Sequence, residues 1–387
     1  MTFLAICGFA GSAAFLVYVL AGYPVWLHWM ASRSQNPVHK DATLRSVSVV
    51  IAVRNGEKFL QDKLDSVLAL NYPPELVEII VVSDGSNDAT DEIAASFVPR
   101  IQFLRLPRGG KGAAVNAGIA MARNEILVLT DVRQRLATDS VRNLVAVFGD
   151  PKVGVVSGEL SILSGESAQE ANTGLYWRYE VWMRKGMSRI DSTFGANGPF
   201  YAMRRALAVP IPEDTLLDDV YLPLATFFRG YRIILEPSAK AYDYPTSLHS
   251  EFRRKVRTQA GLYQILRQYP QLLTAENRMR LHFVSGKFCR LLLPFGLILM
   301  AVSSLGLPEP WRAAAVSAQM IFYAAALVDL LLPEGTLFKK VTAPIRTFVV
   351  LLWAALMGMR IFFVPPRDLW KETTVRKVEP SIASRHG

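Results

Sequence analysis

The hydrophobic positions of this chain form two patterns: long, largely apolar stretches near both ends, and short strand and helix patterns between them. The long stretches run over Phe3–Trp26, Leu291–Leu307, Ala313–Leu332 and Phe348–Val364. Each has about the 17 to 25 residues with which a helix crosses the hydrocarbon core of a bilayer. They predict an N-terminal membrane anchor over residues 1–30 and C-terminal transmembrane helices over residues 287–366.

The first stretch is predicted to be an uncleaved anchor, because no basic residue precedes it and no small-residue cleavage site closes it. Its flanking charges, Arg33, Lys40 and Arg45, all follow it, and Lys287 and Arg290 precede the second stretch. Positive charge collects on the cytoplasmic side of membrane proteins. We therefore expect an integral, multi-pass protein of the plasma or inner membrane with a cytoplasmic middle domain.

The basic tail over residues 367–387 does not fit this topology directly. Three full crossings after the middle domain place the tail outside, although it carries Arg367, Lys371, Arg376 and Lys377. Either the tail departs from the positive-inside pattern or one apolar stretch lies along the membrane surface. The sequence leaves both topologies open.

Between the apolar ends, strand and helix patterns alternate. Ser46–Val53, Val77–Val82 and Ile126–Thr130 are apolar, β-branched runs typical of strands that are buried on both faces. Helical spacing follows the first of them, and short polar turns join the elements. This alternation predicts an α/β domain over residues 45–246, with a doubly wound and mostly parallel sheet.

The net charge of +10 indicates which partners the chain binds and says little about its fold. Much of the basic excess lies beside the apolar stretches and in Phe252–Leu266, where anionic lipid head groups account for it better than nucleic acid does. Phe252–Leu266 is predicted to be a basic amphipathic helix within an interfacial segment over residues 247–286. The two cysteines, Cys7 and Cys289, indicate no disulfide framework and no metal-cysteine site.

Polar residues cluster just after the predicted strands, where such sheets bind ligands. Taken alone, Asp84 is a common turn residue and Glu57 an ordinary first-turn glutamate. The Gly109–Gly112 loop is more informative, because flexible backbone, a lysine and a helix N-terminus together form an anion site. The clustered positions are, in chain order, Arg54, Asn55, Glu57, Asp84, Lys111 and Asp131.

A pair of acids, Asp218 and Asp219, begins a helix-like run that Gly230 ends. The pair can be an acidic helix cap and first turn. A carboxylate at such a place can also take a proton from an attacking hydroxyl. Upstream, the turn Gly195–Tyr201 contains Gly198, where the missing side chain lets another group approach the backbone closely.

The order and spacing of these motifs, from Val47 to Tyr263, resemble the family-2 inverting glycosyltransferases, nearer their membrane-bound cellulose- and hyaluronan-synthase-like branch. The resemblance implies a glycosyltransferase-A-type domain that binds a nucleotide sugar. It also implies transfer of the sugar from UDP to a polysaccharide or a lipid-linked glycan. The implied partners are the donor, a glycan or lipid-linked acceptor and membrane lipids, with no nucleic acid.

The resemblance further implies a role for each polar residue. Asp219 corresponds to the catalytic base, and Asp218 precedes it in the family's Glu-Asp motif. Arg54, Asn55 and Glu57 correspond to the first substrate-binding loop, in which Glu57 contacts the base or ribose. The remaining roles are the uracil ring for Asp84, the diphosphate or ribose for Lys111, the diphosphate for Arg257, the sugar for Gly198, and Mg²⁺ or Mn²⁺ for Asp131.

Three motifs depart from the family pattern. Ala52 replaces a proline, and Arg133 replaces the second acid of the metal-binding Asp-x-Asp motif. Of the motif Gln-x-x-Arg-Trp only the arginine is retained, because Arg254 and Thr258 replace the glutamine and the tryptophan. Because Mg²⁺ is commonly held by one or two carboxylates with phosphates and water, Asp131 remains the expected ligand. Arg133 either supplies positive charge near the diphosphate or faces solvent. The missing tryptophan leaves processive and single transfer both open.

Two further interpretations of the function stay open. One is a glycolipid synthase that adds a single sugar to polyprenyl phosphate or diacylglycerol. The other is a non-catalytic nucleotide-binding scaffold of a polysaccharide-export complex. The aromatic residues Trp177, Tyr179 and Trp182 belong either to a core or membrane-facing side of a helix or to a platform on which sugar rings stack.

Overall fold

The structure, a computed structural model, describes residues 2–34, 36–162, 168–244, 248–333 and 336–369. Their contacts divide the chain into two compact units. The sheet unit lies between residues 34 and 162 and between 184 and 244. The helical unit comprises the described residues up to 33, those from 168 to 183 and those from 248 onwards.

The strands are β1 Val47–Val53, β2 Val77–Asp84, β3 Gln102–Leu106, β4 Ile126–Thr130, β5 Arg135–Leu136, β6 Val153–Ile162, β7 Phe200–Arg204 and β8 Arg232–Asp243. The helices are α1 Thr2–Val17, α2 Tyr23–Arg33, α3 Glu57–Leu68, α4 Thr90–Ser96, α5 Lys111–Met121, α6 Ser140–Ala146, α7 Ala168–Ile190, α8 Asp218–Phe227, α9 Leu248–Gln268, α10 Arg280–Phe283, α11 Cys289–Ser304, α12 Trp311–Val328, α13 Leu337–Gly358 and α14 Pro366–Leu369.

The sheet unit is built on one eight-stranded sheet with the strand order β3-β2-β1-β4-β7-β6-β8-β5. The strands β3, β2, β1 and β4 are parallel, as are β6 and β8. All five residues of β4 are buried, and β1 is nearly as buried, which explains why both read as continuous apolar runs. The predicted α/β class is confirmed, with a mixed sheet.

Strand β7 runs antiparallel to both of its neighbours, β4 and β6. Its first residue, Phe200, pairs with the last residue of β4, Thr130. The turn that precedes β7 therefore lies at the carboxyl edge of β4. Because Val53 of β1 pairs with Ser83 of β2, the residues that follow β1 and β2 meet at this edge as well.

The helical unit contains four helices that are long and apolar enough to cross a membrane: Thr2–Arg33, Arg280–Ser304, Trp311–Val328 and Leu337–Phe362. Short π-helical segments, Tyr18–Gly22 and Val284–Phe288, keep the first two continuous. Helix α1 packs on α11, and α13 packs on α9, α11 and α12. The buried residues of one apolar cluster are Leu16, Val19, Leu293, Leu297 and Leu352.

The fourth of these helices begins eleven residues before the predicted stretch, at Leu337 rather than Phe348. Charged residues in its first turns lower the local hydropathy, so the sequence pattern did not reveal this part of the helix. Lys339 Nζ donates to the carbonyls of Asp329 and Leu332 at 3.1 and 2.9 Å, and Arg346 pairs with the Asp329 carboxylate at 3.2 Å. These contacts satisfy the charges inside the helical unit.

Candidate active site

Asp84, at the end of β2, holds the glycine-rich loop in place. Its Oδ1 accepts the amide protons of Gly109 and Gly110 at 2.6 and 3.0 Å, and its Oδ2 accepts that of Gly110 at 3.0 Å. Gly110 adopts a φ of +90°, which a residue with a side chain rarely does. Asp84 thereby fixes the backbone that leads into α5. Its predicted bond to a uracil ring stays a prediction.

Lys111, the first residue of α5, joins the glycine-rich loop to the acidic residues. Its Nζ lies 3.0 Å from Asp131 Oδ1 and 3.3 Å from Asp218 Oδ2. Burial alone lowers the pKa of Lys111, but the carboxylates of Asp131, Asp218 and Asp219 outweigh burial and raise that pKa above its usual value. The ammonium group is therefore charged and positioned beside three carboxylates.

Asp218 and Asp219 begin α8 and pack against the turn that precedes β7. The Asp219 carbonyl accepts the amide proton of Ala196 at 2.8 Å. A Cβ on Gly198 would lie 2.7 Å from Asp219 Oδ2, so the missing side chain at Gly198 leaves room for the carboxylate of Asp219. Asp218 is buried, whereas Asp219 is partly exposed. The predicted sugar contact at Gly198 stays a prediction.

The turn before β7 is tied directly to the end of β4. The Pro199 carbonyl accepts the amide proton of Asp131 at 3.2 Å and the hydroxyl proton of Thr130 at 2.8 Å. A cavity of about 10 Å³, enough for roughly one water molecule, lies among residues that include Lys111, Asp131 and Asp218. Asp131, Asp218, Asp219, Lys111 and Gly198 thus converge on one place.

The cluster offers Asp131 as a ligand for a divalent cation. Three carboxylates around one ammonium group give it a formal charge of −2. Within the described ranges, no three His, Cys, Asp or Glu side chains are grouped to bind a metal together. Mg²⁺ commonly needs one or two carboxylates with substrate phosphates and water. The side chain of Asp131 is 36% exposed, and it fits such a role.

Arg133 does not extend this cluster. Its guanidinium donates two hydrogen bonds to the Asp243 carboxylate, from Nε at 2.7 Å and from Nη2 at 2.6 Å. Both side chains are largely buried. Asp243, the last residue of β8, thus compensates the positive charge of Arg133 through a bidentate pair. Of the two interpretations that the sequence allowed, solvent exposure is wrong, because Asp243 covers the side chain.

Asn55 and Glu57 link the first loop to the turn after β2. Asn55, at a φ of 50°, donates its amide proton to Ser86 Oγ at 3.1 Å, and its Oδ1 accepts that of Asn87 at 3.1 Å. Glu57 Oε2 accepts the amide proton of Ala89 at 3.3 Å. Arg54 precedes them and is partly buried. These residues follow β1, at the same edge of the sheet as the cluster, and their contacts with substrate stay predictions.

The other predicted residues belong to the helical unit. Arg257 lies on α9, and its contact with a diphosphate stays a prediction. The side chain of Trp177 lies outside the described residues. Tyr179 and Trp182 pack within the helical unit, where Arg290 lies 5.3 Å from the Tyr179 ring and His28 stacks on Trp182 at 5.6 Å.

Sequence reasoning missed two buried residues beside the cluster. Tyr201 of β7 is 1% exposed, and no described group bonds to its hydroxyl. Burial raises the pKa of Tyr201, and the carboxylates of Asp218, Asp219 and Asp131 raise it further. Its hydroxyl therefore stays protonated and can donate a hydrogen bond within the cluster.

Lys63 of α3 is fully buried beneath the residues that follow β4. Its Nζ donates to Thr130 Oγ1 at 2.6 Å and to the Gln134 carbonyl at 2.7 Å. Burial lowers the pKa of Lys63 to about 7, and Asp131 partly opposes that shift. Its position on the apolar face with Leu60 and Leu64 was the available signal, because a lysine there needs a specific partner.

Comparisons with known proteins identify what the chain is similar to. The model of Glycosyl transferase family 2 matches residues 48–209. The probable glycosyltransferase YdaM of Bacillus subtilis (strain 168) is 25% identical over 296 residues, 69% of this chain and 69% of that protein. The poly-beta-1,6-N-acetyl-D-glucosamine synthase of Staphylococcus aureus (strain COL) is 26% identical over 232 residues, 58% of this chain and 56% of the synthase.

The fold also matches a solved structure, that of the mannosyltransferase PcManGT from Pyrobaculum calidifontis in complex with GDP-Man and Mn²⁺. The TM-score is 0.70 at 22% identity, and the match covers 90% of this chain and 99% of PcManGT. The family match over residues 48–209 includes Asp84, Lys111 and Asp131. The chain carries a family 2 glycosyltransferase domain and is a nucleotide-sugar-dependent glycosyltransferase.

Proposed function

We propose that this chain is a membrane-embedded, inverting glycosyltransferase that moves a sugar from a UDP-sugar to a polysaccharide or lipid-linked glycan. The observation that carries the proposal is the convergence of Asp131, Asp218 and Lys111 with Asp219 beside the same turn. The proposal places this sheet unit on the cytoplasmic side, where nucleotide sugars are available. Four apolar helices long enough to cross a membrane support its attachment there.

Asp219 acts as the general base in this mechanism. Asp218 is buried and held by Lys111, whereas the carboxylate of Asp219 is partly exposed and can meet an acceptor hydroxyl. As Asp219 takes the proton, the acceptor oxygen forms a bond to the anomeric carbon, and the bond from that carbon to the diphosphate breaks. Attack from the face opposite the leaving group inverts the configuration.

The ammonium group of Lys111 stabilises the negative charge on the departing UDP. Lys111 is the first residue of α5, and the N-terminus of a helix also favours an anion. Asp131 would hold a divalent cation, Mg²⁺ or Mn²⁺, which when bound would further neutralise the charge of the diphosphate. Lys111 now bridges Asp131 and Asp218, so a bound donor must share or displace those contacts.

The assignment of Asp219 as the general base is tested with Asp219→Asn in the purified full chain. Loss of the base should lower sugar transfer by about 10²- to 10⁴-fold, while calorimetric UDP binding remains. Unchanged turnover removes Asp219 from the mechanism. The size of the product distinguishes a polymer ladder from a single sugar added to lipid. If the wild-type chain turns over none of the nucleotide sugars, the scaffold interpretation is favoured.

A test of nucleobase recognition by Asp84 requires a variant that leaves the glycine-rich loop in place. Asp84→Asn keeps one oxygen for the amide protons of Gly109 and Gly110, whereas Asp84→Ala removes the support of the loop as well. UDP should bind about tenfold more tightly than GDP to the wild-type chain, and Asp84→Asn should remove most of that preference. Equal affinities of UDP and GDP for the wild-type chain refute the uracil assignment.

A further inference from the structure

The hydroxyl of Tyr201 is a buried polar group that the proposed transfer mechanism does not use. Tyr201 lies in β7, where it pairs with Leu129 of β4 and Ser157 of β6. The residue is 1% exposed, and no described group bonds to its hydroxyl. Buried polar groups in folded proteins nearly always have a hydrogen-bond partner, so this hydroxyl requires an explanation.

Tyr201 lines the cavity of about 10 Å³ together with Lys111, Asp131 and Asp218. Burial raises the pKa of Tyr201, and the carboxylates of Asp218, Asp219 and Asp131 raise it further. The hydroxyl is therefore protonated at neutral pH and can donate one hydrogen bond. The acceptors beside it are the carboxylates of this cavity.

Asp218 is the carboxylate that most needs such a donor. It is 7% exposed, whereas the side chain of Asp131 is 36% exposed and Asp219 is partly exposed, so that water can reach those two. Lys111 Nζ lies 3.3 Å from Asp218 Oδ2 and is, within the described part of the chain, the cation that pairs with it. A buried carboxylate that loses its cation is strongly destabilised unless another donor replaces it.

The proposed mechanism draws Lys111 away from Asp218. Its ammonium group bridges Asp131 and Asp218 in this structure. A diphosphate competes with both carboxylates for this ammonium group, so the pair with Asp218 weakens as the donor binds. As long as Lys111 stays on Asp218, the hydroxyl of Tyr201 has no carboxylate to compensate, which agrees with its unbonded state.

We propose that Tyr201 is a positioning residue whose hydroxyl donates a hydrogen bond to the Asp218 carboxylate whenever the ammonium group of Lys111 leaves it. The exchange keeps Asp218 fixed at the start of α8, and thereby keeps its neighbour Asp219 beside Gly198. The exchange itself does not depend on the proposed function. Only the event that draws Lys111 away, the binding of a diphosphate, rests on that function.

Melting temperatures of the purified full chain test the exchange without any nucleotide. In the wild-type background Tyr201→Phe should leave the melting temperature the same or raise it, because no hydrogen bond is lost. In a Lys111→Met background the hydroxyl already bonds to Asp218, so the same substitution should lower the melting temperature by about 2 to 4 °C. The same change of melting temperature in both backgrounds overturns the proposal.

Calorimetric UDP binding tests the exchange after Lys111 has moved. Tyr201→Phe should weaken UDP binding about tenfold, because a hydrogen bond to a charged group contributes about that much. In an Asp218→Asn background no buried charge is left to compensate, so Tyr201→Phe should weaken UDP binding by less than about threefold. Equal losses in the two backgrounds refute the exchange. This cycle decides the question if Lys111→Met fails to fold.

Tyr72→Phe is the matched control, because Tyr72 is also a buried tyrosine of the sheet unit but its hydroxyl is bonded. That hydroxyl donates to the Arg45 carbonyl at 2.6 Å and accepts the Arg45 amide proton at 3.0 Å. Tyr72→Phe should therefore lower the melting temperature and leave UDP binding unchanged, the opposite of Tyr201→Phe. Equal loss of UDP binding in the two variants indicates general damage to the fold and counts against the proposal.

The exchange and the proposed function fail separately. If Lys111→Met leaves UDP affinity unchanged while the thermal cycle gives the expected difference, the diphosphate role of Lys111 is wrong and the exchange with Tyr201 stands. If Lys111→Met lowers UDP affinity but neither cycle shows coupling to Tyr201, the diphosphate role stands and the exchange is wrong.

Discussion

Replacing Gly198 with alanine places a methyl group against the proposed base. The new Cβ lies 2.7 Å from Asp219 Oδ2 and 3.2 Å from its Cγ, whereas real Cβ atoms essentially never approach within 3.0 Å. The carboxylate must therefore retreat by about 0.3 to 0.7 Å to restore a separation of 3.0–3.4 Å. Gly198 does not adopt a positive φ, so alanine brings no backbone strain of that kind.

A displacement of this size should lower sugar transfer by about tenfold to a hundredfold, since a misplacement of about 1 Å can cost 10²-fold. Calorimetric UDP binding should change by less than about threefold, because the donor's charge contacts at Lys111 remain. Turnover of the nucleotide sugar by the purified chain measures the effect. Gly11→Ala lies on α1, where the new Cβ has no described atom within 4 Å apart from its chain neighbours and the backbone of its own helix. It is the matched control and should retain turnover.

A double-mutant cycle decides whether Gly198 acts through Asp219. In an Asp219→Asn background the base is already lost, so adding Gly198→Ala should lower the residual turnover by less than about twofold. The same loss in both backgrounds shows that the alanine acts elsewhere, either on an approaching sugar as the sequence predicted or on the fold. That result refutes the steric reasoning about Asp219.

Lys111→Met removes the ammonium group from beside three carboxylates, so UDP affinity should fall about tenfold or more by calorimetry; unchanged affinity contradicts the diphosphate role. Tyr201→Phe removes a buried hydroxyl to which no described group bonds, so the melting temperature should stay the same or rise. A clear fall contradicts the inference that no hydrogen bond is lost with this hydroxyl. Lys63 has a folded pKa of about 7, below its unfolded value of 10.5. The unfolded chain therefore binds more protons between these values, and the melting temperature of the wild-type chain relative to Lys63→Met should rise from pH 7 to about 9.5. A constant difference across that range refutes the shifted pKa.

The edge of the sheet that carries the site was predictable because it rests on local patterns. The parallel strands β1, β2 and β4 are largely apolar runs followed by polar turns, and parallel strands end at the same edge. That rule alone brings Asn55, Asp84 and Asp131 to one side. The antiparallel direction of β7 is a long-range property of the sheet, and no local pattern in Gly195–Arg204 encodes it.

Partners far apart in sequence explain the remaining differences. Arg133 is 110 residues from Asp243, so the sequence shows a changed motif but not the carboxylate that compensates it. The charge pair of Glu180 with Arg290 likewise spans 110 residues. Lys63 was detectable as a lysine on an apolar helix face, but its acceptors, Thr130 and the Gln134 carbonyl, follow only from the fold.

The attachment of the Pro199 carbonyl to both Thr130 and Asp131 has a consequence for motion during turnover. It couples the turn beside the proposed base to the end of a fully buried strand. Those two parts of the cleft cannot shift independently without breaking two hydrogen bonds. The backbone at Gly109 and Gly110 is held separately, by the carboxylate of Asp84. Hydrogen exchange at the Asp131 amide should accordingly be slow both with and without nucleotide.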